Sequence, residues 1–468
     1  MTCTRARILG FLLLSGSALA GDTLDLGPRR ELFVDRFLIA ELKGAALRLH
    51  SPQLAPPVSP PRPDGHYATV LRIGDAFRFY YRGDKVPGAH WRDGWDTYHL
   101  GEVTLAAESK DGIHWTLPNY GIYQHPTFPS GNVVLADDFL VTHNFTPFID
   151  ARSGVPPAEK FKALGGGRYQ PQHAKFREKY GAGGLKAYAS ADGIHWHRMQ
   201  AAAVIPEAWG SFDSQNHAFW SESERRYVCY FRIFDGGRRS IARTTSQDFL
   251  RWSEPVAMKP NAPGEELYTA GTQPYVRAPH IYIALPTRFI AKRGAATDIA
   301  FMTTRGGNTY DRTFMESIIR PGLGKNGWAN RANYAALGIH QTGPHEMSVL
   351  LTGGRRYLLR LDGFASVNAP FAGGEMVTKP LRFSGRELEI NFSTSAGGQI
   401  RVEVQDESGQ PRPGFALADC VPIYGDEIAR VVKWKPGADL GALAGQPVRL
   451  RFAMEDADLF SLRFRDER

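Results

Sequence analysis

Five acids in this 468-residue sequence stand where strand-like runs begin or end, beside amides and aromatics. They are Asp64 in Pro61-Arg-Pro-Asp-Gly-His-Tyr67, Asp150 closing Asn144-Phe-Thr-Pro-Phe-Ile-Asp150, and Asp213 in Phe212-Asp-Ser-Gln-Asn216. The other two are Glu266 in Gly264-Glu-Glu-Leu-Tyr268 and Glu346 in Gly343-Pro-His-Glu-Met-Ser348. Two carboxyls brought together can split a glycosidic bond, one donating a proton to the leaving oxygen and one attacking or activating water. Burial and mutual repulsion push the pKa values of such a pair apart. Asn144 and Asn216 flank these acids and suit sugar hydroxyls. His345 suits a sugar hydroxyl, a channel ion or a purely structural role. Arg82, after Phe79-Tyr80-Tyr81, suits an anionic substrate group or a structural ion pair. Trp91 and Trp95, in the loop Gly88 to Tyr98, offer flat faces for pyranose rings. Each of the five acids also has a plainer reading, as a turn cap or a solvent-facing residue at a strand entry.

Other chemistries find no motif. There is no Gly-x-Ser-x-Gly elbow, no His-Glu-x-x-His, no P-loop and no dinucleotide fingerprint. No metal is required by the sequence. The formal charge of +8 is spread along the chain without a basic run, which argues against a nucleic-acid partner and leaves room for anionic glycans. No apolar run approaches the roughly 20 residues that span a bilayer.

The elements that would position these residues are strands. Ala76–Tyr81, Arg226–Phe231, His280–Ala284 and Arg356–Leu361 are short β-rich runs bounded by Gly, Pro, Asp or Asn. One motif recurs: Glu108-Ser-Lys-Asp-Gly-Ile-His-Trp115, then Ala189-Ser-Ala-Asp-Gly-Ile-His-Trp196, then the looser Thr245-Ser-Gln-Asp-Phe-Leu-Arg-Trp252, with a degenerate copy at Met302 to Phe314. Its Asp can cap the turn through backbone N–H groups while the Trp packs between sheets. Spacing of that order suits a four-stranded propeller blade. Four blades are expected at 64–118, 143–199, 211–255 and 268–314. A fifth at Glu346 to Leu361 takes its outer strand from Glu31 to Ile39, closing the ring. After Asn368 the motif stops, and Gly-rich turns joining Glu387–Phe392, Gln399–Gln405, Ile428–Trp434 and Val448–Ala453 read as a β-sandwich.

These blades, with the Asn144–Asp150 and Phe212–Asn216 segments, resemble the five-bladed propeller glycoside hydrolases of families 32, 43, 62 and 68. The trailing strands resemble the C-terminal domain of the family 32 enzymes. The resemblance implies an all-β chain: a five-bladed propeller over 21–370 followed by a sandwich over 371–468. It implies three acids converging on a central funnel, which fall on Asp150, Asp213 and the neighbourhood of Asp64. Glu266 and Glu346 compete for the general acid. Asp150 has Ile149 and Ala151 beside it where the family has Arg and Pro, Asp213 stands where Glu is more usual, and the Asn-Asp-Pro-Asn signature of fructosidases is absent. The implied activity is hydrolysis of a poly- or oligosaccharide, with no cofactor and with room for a structural calcium or sodium in the channel. The alternative is a carbohydrate-binding propeller without catalysis.

Arg5 and Arg7, the apolar Ile8–Leu14 and the small residues ending in Ala18-Leu19-Ala20 form a secretory signal over 1–20, so export or a periplasmic location is expected. Its removal lowers the formal charge by two. A monomer is expected. Cys229 and Cys420 form one disulfide or remain two buried thiols.

Overall fold

The structure, a computed structural model, describes residues 23–58, 66–83, 99, 101–124, 127–136, 138, 140–169, 177–179, 181–324, 327–329 and 331–466. Almost all regular structure is β, in antiparallel sheets apart from the parallel pair Leu24–Gly27 and Leu381–Phe383, and no helix among the described residues is long and apolar enough to cross a membrane.

Five successive sheets begin with the strands Thr69–Ile73, Thr146–Ile149, His217–Ser221, Thr272–Tyr275 and His340–Gln341. The first four run outward in sequence order, as in His217–Ser221, Arg226–Asp235, Arg238–Ser246 and Val256–Ala257. The first strands neighbour one another, and polar links join them. His217 Nε2 accepts from Thr272 N (2.9 Å), and Gln273 Oε1 accepts from Gly338 N (2.7 Å). Leu337 exchanges backbone bonds with Ala68 and Val70 (3.0 and 2.8 Å), joining the fifth sheet to the first. The fourth unit is split into two ladders. Ala278–Ala284 ends before Pro286, whose missing N–H interrupts pairing, and Thr287–Ile290 starts a separate sheet with Glu266–Leu267, Ala296–Ala300 and Ser317–Ile319.

The recurring turns are built as the sequence suggests. Asp111 Oδ1 accepts from Ile113 N and His114 N at 2.8 Å, Asp192 Oδ1 does the same for Ile194 and His195, and Asp248 for Leu250 and Arg251. Trp115 packs on Phe79 at 5.3 Å and Trp196 on Phe145 at 5.0 Å between ring centroids.

The last sheet has eight strands. The long strands Glu387–Gln405 and Arg449–Arg465 pair through two bulges and wrap one core containing Ile390, Val402, Phe452 and Leu462. It also takes in the start of the chain, which differs from the expected division at 370. Ile39–Lys43 pairs with Gly374–Thr378, and Ala46–Leu49 with Ala365–Ala369. The expected closure by Glu31 to Ile39 is corrected. Glu31–Leu32 pairs with Ser461 and Leu462, and Gln53–Ala55 is the outer strand of the fifth sheet. Charge explains the difference. Buried Arg30 needs Glu389 (2.7 Å) and Asp362 (3.3 Å), and buried Glu31 needs His280 (2.9 Å) and Arg305 (2.7 Å). Burial opposes the charge on Glu31, but these two partners outweigh it and hold the carboxyl below its usual range. Those partners lie along the seam between the sheets, so the segment is held there. Cys229 and Cys420 are free thiols in different cores and do not pair.

Candidate active site

Phe212-Asp-Ser-Gln-Asn216 leads into the third sheet and is fixed by its own polar groups. Ser214 Oγ donates to Tyr268 O (2.8 Å), Gln215 Nε2 to Ala68 O (2.9 Å), and Asn216 Nδ2 to Phe212 O and Ser214 O (2.9 Å each). Thus pinned to its neighbours, the segment presents Asp213, whose side chain is 53% exposed. Asp213 Oδ1 meets His143 Nε2 at 3.2 Å, Oδ2 lies 3.7 Å from Arg232 Nη2, and the Tyr67 hydroxyl is 3.5 Å away.

His143 precedes the first strand of the second sheet. Asn144 fastens its turn, donating to Gly166 O (2.8 Å) and Phe212 O (2.6 Å) and accepting from Gly166 N (2.8 Å). Gly166 has φ +139, and a Cβ there would stand 2.2 Å from Gly184 O, so only glycine fits. Asn144→Ala would remove three buried hydrogen bonds, those of Gly166 N, Gly166 O and Phe212 O, of which Phe212 O keeps Asn216 Nδ2 as a donor. It is expected to cost about 1–3 kcal/mol for such an unpaired group and to weaken catalysis through His143. Thermal melting and turnover of the variant check this.

The opposite face of His143 meets Glu102, just before Val103–Ser109: Oε2 lies 2.9 Å from His143 Nδ1 and Oε1 3.0 Å from His99 Nδ1. His99 and His143 pack with ring centroids 3.6 Å apart. Arg82 places Nη1 2.8 Å from His143 Nδ1 and Nε 3.8 Å from Glu102 Oε1, with its guanidinium over Tyr67. His99, Glu102 and His143 are buried, and one ligand atom from each lies within 4.8 Å of the others, so this trio can hold a metal ion. His99 (φ +70) and Tyr67 (φ +69) both have left-handed backbones, which cost bulky residues energy and concentrate at functional sites. Tyr67, Tyr268, Tyr334 and Phe289 form an aromatic wall beside Asp213, and His66 stacks on Tyr334 at 4.1 Å.

Burial opposes charge on Glu102, but His143 and His99 outweigh it and hold its carboxyl well below the usual range. Burial opposes charge on Asp213 as well, and His143, Arg232 and His99 overcome it, so it too is held down. Burial and neighbouring His143 push His99 down to about 4, and burial with Arg82 pushes His66 down to about 3. For His143, burial is outweighed by Glu102 and Asp213, and its pKa rises.

Of the residues expected from sequence, Asp213 and Arg82 meet here. Asp150 does not. It follows Thr146–Ile149 while His143 precedes it, and four strand residues span about 13 Å. Its fully buried carboxylate is taken by Lys162 Nζ (2.7 Å), Tyr227 OH (2.5 Å) and Arg152 N (3.0 Å), which corrects its assignment as a substrate-facing acid. Asn144 and Asn216 are corrected likewise: both are buried with their amide nitrogens spent on backbone carbonyls. Glu266 accepts from Arg239 (2.7 Å), and Glu346 lies on the fifth sheet near Thr342 (3.2 Å) and Arg356 (3.9 Å). Neither touches the cluster, and His345 is exposed next to Glu346. Asp64, Trp91 and Trp95 lie outside the described residues. Sequence reasoning missed His99, Glu102, His143, Tyr67 and Arg232. The available signals were the His99-Leu-Gly-Glu102 spacing and the histidine immediately before Asn144.

No family model matches the sequence, and no curated relative matches it. Among solved structures, the chain is similar to a glycoside hydrolase at 14% identity and TM-score 0.42, over 66% of this chain and 91% of that one. It is similar to the Bombyx mori family 32 β-fructofuranosidase at 10% identity and TM-score 0.40, over 90% and 95%. It is also similar to an N-acetylgalactosamine deacetylase from F. plautii at 10% identity and TM-score 0.39, over 88% and 95%.

Proposed function

We propose that the chain is a secreted glycan-directed hydrolase, a five-bladed propeller with a C-terminal sandwich, acting on a poly- or oligosaccharide at the Asp213 cluster. The five first strands, linked edge to edge, support the propeller reading. The observation that carries the functional reading is Asp213 itself: a half-exposed carboxylate in an otherwise buried group of histidines, arginines and tyrosines. A solvated Asp of no function has no need of that many buried partners. Asp213 is the carboxylate that meets substrate. Glu102, on the other ring nitrogen of His143, replaces Asp150 as its pair. The aromatic wall of Tyr67 and Tyr334 supplies a flank for sugar rings.

Arg82 and Arg232 give the cluster a preference for anionic glycans. Arg232 is buried, and its Nη1, closed to solvent, has no hydrogen-bond partner among the described residues, so a substrate carboxylate or sulfate that enters beside Asp213 and opens this contact gains a donor. Arg232→Met is expected to raise KM for a uronic or sulfated substrate by roughly ten- to a hundredfold, the worth of a charged hydrogen bond at about 1.5–3 kcal/mol. A neutral glycan should be affected much less. Comparing KM on the two substrate types decides the point.

One observation favours the second reading, a carbohydrate-binding propeller without catalysis. Both carboxylates of the cluster are held ionised, and neither is ready to donate a proton. A screen of plant and marine polysaccharides, neutral, uronic and sulfated, separates the readings. New reducing ends from at least one of them are expected. Tight binding with no cleavage of any would establish the second reading.

A further inference from the structure

The donor atoms of His143 and Glu102 do not balance as hydrogen bonds. Asp213 Oδ1, an acceptor, takes the Nε2–H of His143 at 3.2 Å. A ring carrying a second proton donates it from Nδ1 to Glu102, and a singly protonated ring leaves a lone pair there. Yet Nδ1 faces Glu102 Oε2, also an acceptor, at 2.9 Å, while Glu102 Oε1 faces His99 Nδ1 at 3.0 Å. Nδ1 of His143 cannot both accept from Arg82 Nη1 at 2.8 Å and donate to Glu102. With Nδ1 of both rings deprotonated, two imidazole nitrogens and a carboxylate would face a point that attracts a cation, so an ion would displace the protons shared with Glu102, and the Arg82 guanidinium already leans towards that point.

The geometry points to a divalent first-row metal site, of the zinc type, formed by His99 Nδ1, the Glu102 carboxylate and His143 Nδ1. Two imidazoles with one carboxylate form a donor set that zinc takes in sites keeping a position open for water. Ligands of one ion at about 2.0–2.2 Å lie no more than about 4.4 Å apart. The His99–Glu102 and His143–Glu102 pairs meet that limit, and one ligand atom from each of the three residues lies within 4.8 Å of the others, so closing on an ion takes a small movement. A second observation supports it independently. Ligating histidines almost always give their other ring N–H to a carboxylate or carbonyl, which fixes the tautomer. Asp213 does this for His143 through Nε2. Asp213 is thus a positioning residue for the metal as well as the acid exposed to substrate. Arg82 moves aside on binding, and the ion's two charges match Glu102 and Asp213. A bound ion would supply an activated water on the Nδ1 side of His143, across the ring from Asp213.

The test uses the full mature chain, stripped with a chelator and titrated with Zn²⁺ alone by calorimetry, then with Co²⁺ followed by visible absorption. One ion per chain is expected, with the d–d bands of nitrogen and oxygen ligation. His99→Ala and His143→Ala should lose that uptake at least a hundredfold. Glu102→Gln, which keeps size and hydrogen bonding, covers the case in which an alanine variant does not fold, as judged by circular dichroism. Asp213→Asn should weaken uptake by about 10- to 100-fold. His197→Ala, an exposed histidine elsewhere, should match the wild type. Absence of stoichiometric uptake by the wild type, or uptake unchanged in folded Glu102→Gln, overturns the site. Uptake is read without any glycan, so a polysaccharide screen that fails leaves this result standing.

Discussion

Asp213→Asn is expected to lower turnover on the cognate glycan by roughly 10²- to 10⁴-fold, the usual range for a positioned carboxylate or other acid–base group. The amide is the same size, so Tyr67 and the Phe212–Asn216 backbone keep their places. What is lost is the negative charge that the proposed function turns towards substrate, together with one carboxylate oxygen, while the amide oxygen can still accept from His143 Nε2–H. The sign of the stability change follows from the same contacts. In the folded protein the Asp213 carboxyl is held below its unfolded value. Its stabilising contribution is therefore present above the ordinary Asp range near pH 4, and is lost as the pH falls through the lower folded value. Asp213→Asn removes that contribution, so the wild type and variant should differ in melting temperature at neutral pH and converge in strong acid. The measurement is turnover per folded molecule, with melting curves at both pH values. Turnover within about threefold of the wild type would remove Asp213 from the chemistry.

The place of Asp213 at the entry to the third sheet was legible in the sequence. The residue stands at a strand entry beside polar amides and an aromatic strand, and in the structure Ser214, Gln215 and Asn216 spend their side chains on neighbouring backbone and leave Asp213 exposed. The repeating turns were legible for a similar reason, since capping by Asp is local and needs only three or four consecutive residues. What could not be read was anything decided across sheets. His99 and Glu102 come from a turn before the third strand of the first sheet, and His143 from a turn before the second sheet. Nothing within either stretch says that the two meet. The same holds for the chain start. Glu31 to Ile39 has the pattern of a ring-closing strand, but Arg30 and Glu31 find their partners at Asp362, Glu389, His280 and Arg305, some hundreds of residues away. Strand pattern specifies a face, whereas buried charge specifies a location, and here the charge prevailed. Asn144 shows the limit of residue type as a guide: an amide suited to a sugar hydroxyl is equally suited to tie two backbone segments, and burial decided for the second.

Asp150 gives the sharpest separation of structure from chemistry. Its carboxylate is closed to solvent and neutralises Lys162, whose side chain is itself only 1% exposed. Asp150→Ala leaves that ammonium buried with Glu159 (3.1 Å), which is one-third exposed, as its remaining ionic partner. It also removes the acceptor of the Tyr227 hydroxyl in the core between the second and third sheets. Breaking a buried ion pair by removing one partner costs about 3–5 kcal/mol, the largest stability effect expected of any substitution at the five candidate acids. The pair need not be stabilising as a whole. The double variant Asp150→Leu with Lys162→Met removes both charges, and replacing a buried pair by apolar side chains of similar size is often neutral or better. Most of the lost stability should therefore return in the double variant, while turnover per folded molecule stays near wild type in both, because Asp150 is a strand's length from His143. Chemical denaturation at neutral pH measures the first quantity, and activity normalised to folded fraction the second. If Asp150→Ala melts like the wild type but loses turnover by two orders of magnitude, Asp150 acts on substrate after all, and the catalytic centre lies at the other end of the Thr146–Ile149 strand.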